Sequence, residues 1–318
     1  MSGEPDGYAQ SIPGDEEARE ELTRGVALDL DGKAAEAETS YAIASTSSDA
    51  NIASSALSNI ARLWALRGEA ESSKSMFRRA LEVAGPDADG SVALTFGLNL
   101  WAWGALDEAE TSFRAATRSP RSDTRLTAHL NLGRLLWSTG NLDEAIEQLR
   151  SATAFKGSES IQAALDLGTL LTMEGRAEEA VDALHVATTS AEEEVACKAL
   201  LAYGMSLARL ERYEESKAAY DRALSMNCRD IRDNLLLNRA NAYLLENDLV
   251  QAESMFRAVT AMPGNWTIPV AWFGLSQVLF QLDRNEEAIA ALKEANAAKI
   301  PAPPEVQEEI TRLLAANS

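Results

Sequence analysis

The chain is poor in the residues that most often carry chemistry. Its 318 residues include two cysteines and two histidines, and 49 acids outnumber 29 lysines and arginines, leaving a formal net charge of −20. The shortage of basic residues argues against a nucleic-acid partner. Phosphate contacts need clustered Lys and Arg, and so acidic a surface repels a polyanion. An anionic membrane surface is disfavoured for the same reason. No apolar run approaches the roughly 18 residues of a spanning helix. The opening stretch, MSGEPDGYAQSIPGDEE, lacks the basic and apolar regions of a secretory signal. A cytoplasmic protein without membrane insertion is therefore expected. Cys197 and Cys228 can form at most one bridge, and a chain this long needs no staple, so two reduced thiols are expected.

Catalytic signals are also missing. His129 and His185 have no cysteine or carboxylate at ligand spacing, so no metal site is expected, and His129 reads as a packing residue. There is no Gly-rich phosphate loop, nucleophile elbow or Ser/His/Asp set. Carboxylate pairs are plentiful, but they recur at regular intervals, whereas a catalytic pair would be singular. The expectation is a protein with no catalytic residue, no cofactor and no turnover.

What the chain has instead is a repeat. Residues 126–152, LTAHLNLGRLLWSTGNLDEAIEQLRSA, read as a helix, a turn at Gly140 and a second helix, with apolar positions at helical spacing in both. The small residue of the first helix recurs as Gly25, Ala61, Gly97, Gly133, Gly168, Gly204, Ala240 and Ser276. The turn recurs as Gly32, Gly68, Gly104, Gly140, Gly175, Glu211, Asn247 and Asp283. A small residue in the second helix (Ala37, Ser73, Ala109, Ala145, Ala180, Ser216, Ala252, Ala288) is followed four positions later by a bulky one. These are Tyr41, Phe77, Phe113, Leu149, Leu184, Tyr220, Phe256 and Leu292. Successive marks lie 36 residues apart, except for one step of 35 from Gly140 to Gly175. Small residues let two antiparallel helices approach closely, the bulky residue fills the gap, and Gly at the turn takes the left-handed conformation that closes the first helix. Acids such as Asp143-Glu144 and Glu178-Glu179 then oppose the positive end of the second helix.

This pattern resembles the tetratricopeptide repeat over about residues 18–300, although the period exceeds the usual 34 residues. The two extra residues fall between one hairpin and the next. Sel1-type repeats place theirs within the hairpin and rank lower, and the RNA-reading pentatricopeptide repeats are set aside on charge. The resemblance implies an all-α, right-handed superhelical solenoid of antiparallel helix pairs with a C-terminal capping helix. Residues 1–16 read as a disordered acidic tail, 17–300 as eight hairpins and 301–318 as a Pro-rich break and capping helix. Glu21 and Arg24 make the first hairpin polar where later ones are apolar, as an N-terminal cap requires. Trp266, in the connector 263–269, is expected to plug a gap between hairpins. The four arginines between Arg114 and Arg125 read as a solvated loop paired with neighbouring acids. The alternatives there are an anion or phosphopeptide site, or modification at Ser119 or Ser122.

In the resembled family the first helices line a concave groove that binds peptides. With the small residue as origin, inward positions fall three before, two before, one after and four after it. The two-before position carries Asn59, Asn131, Asp166 and Asn238, and an asparagine ladder in this family holds a peptide backbone, because an amide both donates and accepts. Ala202 and Gly274 interrupt it. The one-after position carries Arg62, Leu98, Arg134, Met205 and Asn241, and the four-after position Trp101, Trp137 and Phe280. Leu130 and Leu165 are assigned to the core. These residues make a candidate groove, apolar with a few basic points. The family's clamp for terminal carboxylates is not reproduced, since Arg62, Asn131 and Lys198 fall out of order. The functional expectation is a monomeric scaffold or adaptor for a protein or peptide ligand. A regulatory or self-associating subunit of a larger complex is the alternative. A repeat-type phosphatase of a signalling protein is remote, since nothing singles out Gln148, Gln162, Gln251 or Gln277.

Overall fold

The computed structural model describes residues 14–85, 90–262 and 266–317, in two compact units, Met1–Ser160 and Ile161–Ser318. Most of the expected tail, residues 1–13, lies outside the described residues, as does 263–265 of the later connector. The described residues are helical throughout apart from turns and short connectors.

The first unit pairs α1 (Asp15–Leu30) with α2 (Ala34–Ala44), α3 (Ala50–Leu66) with α4 (Ala70–Ala84), α5 (Ser91–Ala102) with α6 (Leu106–Ala116), and α7 (Ser122–Ser138) with α8 (Leu142–Thr153). The second pairs α9 (Ser158–Met173) with α10 (Ala177–Ala187), α11 (Glu193–Arg209) with α12 (Tyr213–Ser225), α13 (Arg232–Leu245) with α14 (Leu249–Thr260), and α15 (Thr267–Gln281) with α16 (Asn285–Asn296). A last helix, α17 (Pro304–Ala316), follows. α1 begins inside the stretch expected to be tail, because the Ser47 and Ser48 hydroxyls donate to the Asp15 carboxylate at 2.9 and 2.8 Å.

Each hairpin closes as its turn residue dictates. All eight turn positions have positive φ, including the three that are not glycine: Glu211 (59°), Asn247 (68°) and Asp283 (56°). The amide of the following residue then reaches back to a carbonyl five residues earlier, as from Lys33 to Leu28 (2.8 Å) and from Arg212 to Leu207 (2.9 Å). These bonds satisfy carbonyls that the helix end would leave unpaired.

Where the small residue of the first helix is glycine, it faces the bulky residue of the second at a distance that leaves no room for a Cβ. A Cβ on Gly97 would sit 2.8 Å from Phe113 Cδ1, on Gly133 2.8 Å from Leu149 Cγ, and on Gly204 2.6 Å from Tyr220 Cζ. Where the second helix carries serine, the hydroxyl bonds the first helix's backbone directly: Ser73 to Ala61 O at 2.6 Å and Ser216 to Gly204 O at 2.7 Å. Hairpins join through the bulky residues, as where Phe77 stacks on Phe96 with ring centroids 4.9 Å apart. On α1 only Ala18 and Gly25 are buried, and Arg24 pairs with Glu21 at 3.2 Å on the face that is apolar in later hairpins. At the other end Ile310 is fully buried. With Val306, Leu313 and Leu314 it packs against Leu292, Ala295, Phe273 and Phe280.

Two expectations are corrected. Cys197 and Cys228 are joined as a disulfide, with Cα atoms 5.7 Å apart. They lie 31 residues apart in sequence, but antiparallel pairing of α11 and α12 returns the chain to where α11 began. Trp266 plugs no gap: it precedes the first residue of α15 and is 46% exposed.

The close approach sets the sign of two substitutions. Gly204→Ala gains up to about 1 kcal/mol of helix propensity but drives a methyl into Tyr220, an overpacking cost of about 1–3 kcal/mol. The net loss should appear in urea unfolding as a lower midpoint. Glu211→Gly relieves the left-handed strain and should instead raise stability, by up to about 1 kcal/mol.

Candidate peptide-binding groove

In the second unit the first helices frame a cavity of about 310 Å³, lined by Met205, Ala208 and Arg209 from α11, Tyr220 from α12, Asn238, Asn241, Ala242, Leu244 and Leu245 from α13, and Gln277 from α15. The repeat explains the gathering. Met205, Asn241 and Gln277 each stand one position after their hairpin's small residue, Ala208 and Leu244 four after, and Asn238 two before. Equivalent positions on successive hairpins thus converge. Three of the residues expected from sequence, Met205, Asn238 and Asn241, meet here.

Arg209 and Leu245 were not among the expected residues. Both stand five after the small residue and end their helices, and Leu245 is 58% exposed. A five-after rule would have found them. The Arg209 guanidinium donates from Nη1 to the carbonyl of Thr172 on α9, which leaves its other N–H groups at the rim. Thr172 and Ser206 share a buried hydroxyl–hydroxyl bond of 2.7 Å that ties α9 to α11 beneath it. Tyr220 is the floor: it is 1% exposed, and burial pushes its phenol well above the usual tyrosine range, partly offset by the Ser216 hydroxyl. None of the ten lining residues is acidic, in a chain with 49 acids. The cavity thus offers one cation, three amides and an apolar floor.

The remaining expected residues behave differently. Asp166, on α9, accepts from Gln162 at 2.9 Å. Phe280 is partly covered in the cluster beneath α17 and is not part of the cavity lining, because the capping helix occupies its open side. Gly274, which interrupts the asparagine ladder, makes room for Phe256: a Cβ there would meet Cζ at 2.5 Å. Asn238 Nδ2 donates to Asn234 O at 2.8 Å, one turn back on its own helix. That uses one of two amide hydrogens and leaves one N–H and the carbonyl oxygen for a ligand.

In the first unit Asn59 and Arg62 lie on α3, Leu98 and Trp101 on α5, and Asn131, Arg134 and Trp137 on α7. Arg62 is held by an ion pair with Asp29, and burial pulls its guanidinium pKa down. Asn131 Nδ2 bonds back to Thr127 O at 2.8 Å. Leu98 is exposed, and Trp101 packs edge-on against Phe113 with centroids 6.2 Å apart. Leu130 and Leu165 are buried. Three of the four arginines of the loop are engaged by neighbouring groups. Arg114 binds Glu144 at 2.5 Å and Glu110 at 2.7 Å, and these bonds raise its pKa. Arg121 pairs with Asp123 at 2.7 Å, and Arg125 donates to Ser119 O at 2.7 Å and Pro120 O at 2.9 Å. Ser119 is itself buried and accepts the Arg121 amide, so it is not presented for modification.

No group of three or more His, Cys, Asp or Glu among the described residues is arranged to hold a metal ion, and no described helix is long and apolar enough to cross a membrane.

Fold and cavity define a class: an all-α helical-repeat protein with a cavity lined from consecutive hairpins. The tetratricopeptide repeat profile matches residues 94–160, 201–265 and 237–303, together more than half of the chain. The chain belongs to the tetratricopeptide repeat family, whose repeats serve as protein-interaction scaffolds. Among solved structures it is similar to the C-terminal part of a TPR repeat-containing protein from Cytophaga hutchinsonii, at 15% identity over 79% of this chain and 98% of that one, with a TM-score of 0.57. A tetratricopeptide repeat protein from Parabacteroides merdae matches at 17% identity over 94% and 99%, with a TM-score of 0.48. PilF from Pseudomonas aeruginosa matches at 18% identity over 72% and 99%, with a TM-score of 0.49. Comparison with curated protein sequences finds no match.

The buried Tyr220 phenol gives an alkaline signature. A folded pKa raised above the unfolded value of about 10 means the fold favours the neutral phenol. Its stabilisation is complete below that pH and is lost as pH rises above it. Tyr41 is equally buried and shifted in the same direction, so near-ultraviolet titration should show a late-ionising tyrosine class, and Tyr220→Phe should remove one equivalent from it.

Proposed function

We propose that the chain is a non-catalytic adaptor that holds a peptide or protein segment in the cavity between α11, α13 and α15. The observation that carries this reading is the acid-free lining, which places Arg209, Asn238, Asn241 and Gln277 around Met205, Leu244 and Leu245 in an otherwise strongly acidic chain. Amides grip backbone N–H and C=O whatever the sequence, while the apolar floor accepts a side chain as anchor. Methionine and leucine adapt to anchors of different shape, which suits a scaffold that selects by size and polarity. The neighbouring segments of the ligand meet Arg209, so an apolar residue beside an acidic one fits the site best. No step of bond making or breaking enters this function.

The test is selection of a random peptide library displayed on phage against the full chain. Wild type should enrich a common motif with an apolar anchor. Asn238→Ala combined with Asn241→Ala, and separately Met205→Glu, should weaken the selected peptide by tenfold or more, about 1.4 kcal/mol. Circular dichroism establishes that each variant is folded. Asn59→Ala with Asn131→Ala, in the first unit, should leave that binding unchanged. If this last pair abolishes binding and the Asn238/Asn241 pair does not, the second-unit cavity is the wrong site.

A further inference from the structure

The chain leaves α12 irregularly. The second helices α2, α6, α8, α10, α14 and α16 each end on a residue still in right-handed helical conformation. α12 ends instead on Met226 in extended conformation (φ −90°, ψ 173°), and a short 3-10 turn, Arg229–Ile231, leads into α13. Two ties fasten this connector to the start of α11. The Asn227 amide donates to the Glu193 carboxylate at 2.9 Å, and Cys228 is bonded to Cys197. The two cysteines are among the residues that line a second cavity, also of about 310 Å³, whose charged lining is Glu193, Glu194, Lys198, Arg229 and Asp230. Lys198 is ion-paired with Glu194. The cysteines also belong to the buried cluster that contains Tyr220 and Ala242, both of which line the peptide cavity.

We propose that Cys197–Cys228 is a thiol–disulfide exchange site whose state sets the order of the connector 226–231 and of α13 behind it. The reductant is a dithiol entering the charged cavity. Its thiolate attacks one cystine sulfur, forming a mixed disulfide and releasing the other cysteine as a thiolate, which takes up a proton. The second thiol of the reductant then attacks the mixed disulfide, closes the reductant's own ring disulfide and frees the second cysteine. Two electrons and two protons pass from dithiol to protein. With the bond open, the Asn227–Glu193 contact, the packing of Met226 and Ile231 and local backbone bonds such as Arg229 N–H to Asn227 O remain to hold the connector. A cross-link acts largely by restricting the opened ensemble, so its loss is felt in the segment that it fastens, and that is this connector. The bond is made where an oxidant is available and opened where a dithiol is in excess, so order near the peptide cavity follows the redox state of the surroundings.

The experiment needs no ligand, and its outcome is independent of whether the cavity binds peptides. Thiols are titrated on the full chain without denaturant, before and after dithiothreitol, and amide hydrogen exchange is followed in both states. The untreated protein should show no reactive thiol and the treated protein two. Exchange over residues 226–245 should quicken by about tenfold or more on reduction, while residues 50–84 stay unchanged. Reoxidation with glutathione disulfide should restore the slow exchange, and Cys197→Ser with Cys228→Ser should match the reduced state. Two thiols in the untreated protein would overturn the proposal, as would a bond that dithiothreitol opens only in denaturant or exchange indifferent to reduction. Loss of helical circular dichroism in the double variant would overturn it too, by making the bond a requirement for folding.

Discussion

Two helices of each hairpin approach until the side chain of one lies against the backbone of the other. This contact, of Phe113 on Gly97, Leu149 on Gly133 or Tyr220 on Gly204, leaves no room for a methyl group. The rest of the architecture depends on it. Because the helices are so close, a serine in the second can bond a carbonyl of the first, as Ser216 bonds Gly204. Because the bulky residue fills the gap from one side, its far face is free to meet the next hairpin, as Phe77 meets Phe96. The left-handed turn brings the second helix straight back, and glutamate accepts that conformation at position 211 although it strains.

The same closeness builds the candidate groove. When every hairpin has nearly the same internal geometry, positions at equal distance from the small residue fall in register on the inner face, so Met205, Asn241 and Gln277 converge though they are widely separated in sequence. Tyr220 serves both roles: it fills the gap over Gly204 and forms the floor of the cavity. The acids that dominate the composition lie elsewhere, many at the starts of second helices where the helix dipole favours them. A chain with a large negative charge thereby keeps one lining free of carboxylates.

Residue choice alone determined the helical hairpins and their turns. The small, bulky and left-handed marks each impose a local constraint that one side chain or one backbone angle satisfies. Counting positions from those marks places Met205, Asn238 and Asn241, and these three line one cavity. Tertiary structure decided the rest. Whether two cysteines 31 residues apart meet depends on where the return helix ends, so Cys197 and Cys228 gave no sign of their bond in composition. Whether Phe280 stays open depends on where α17 lands, and it lands on Phe280. Whether an asparagine amide faces a ligand or its own helix is a choice of rotamer, and Asn131 and Asn238 each spend one hydrogen on the turn before them. Arg209 and Leu245 escaped notice because they stand five after the small residue, a position not counted among the inward ones. Local marks specify the hairpin, because a hairpin is made of contacts near in sequence, while the groove is made of contacts between hairpins and takes shape only when they stack.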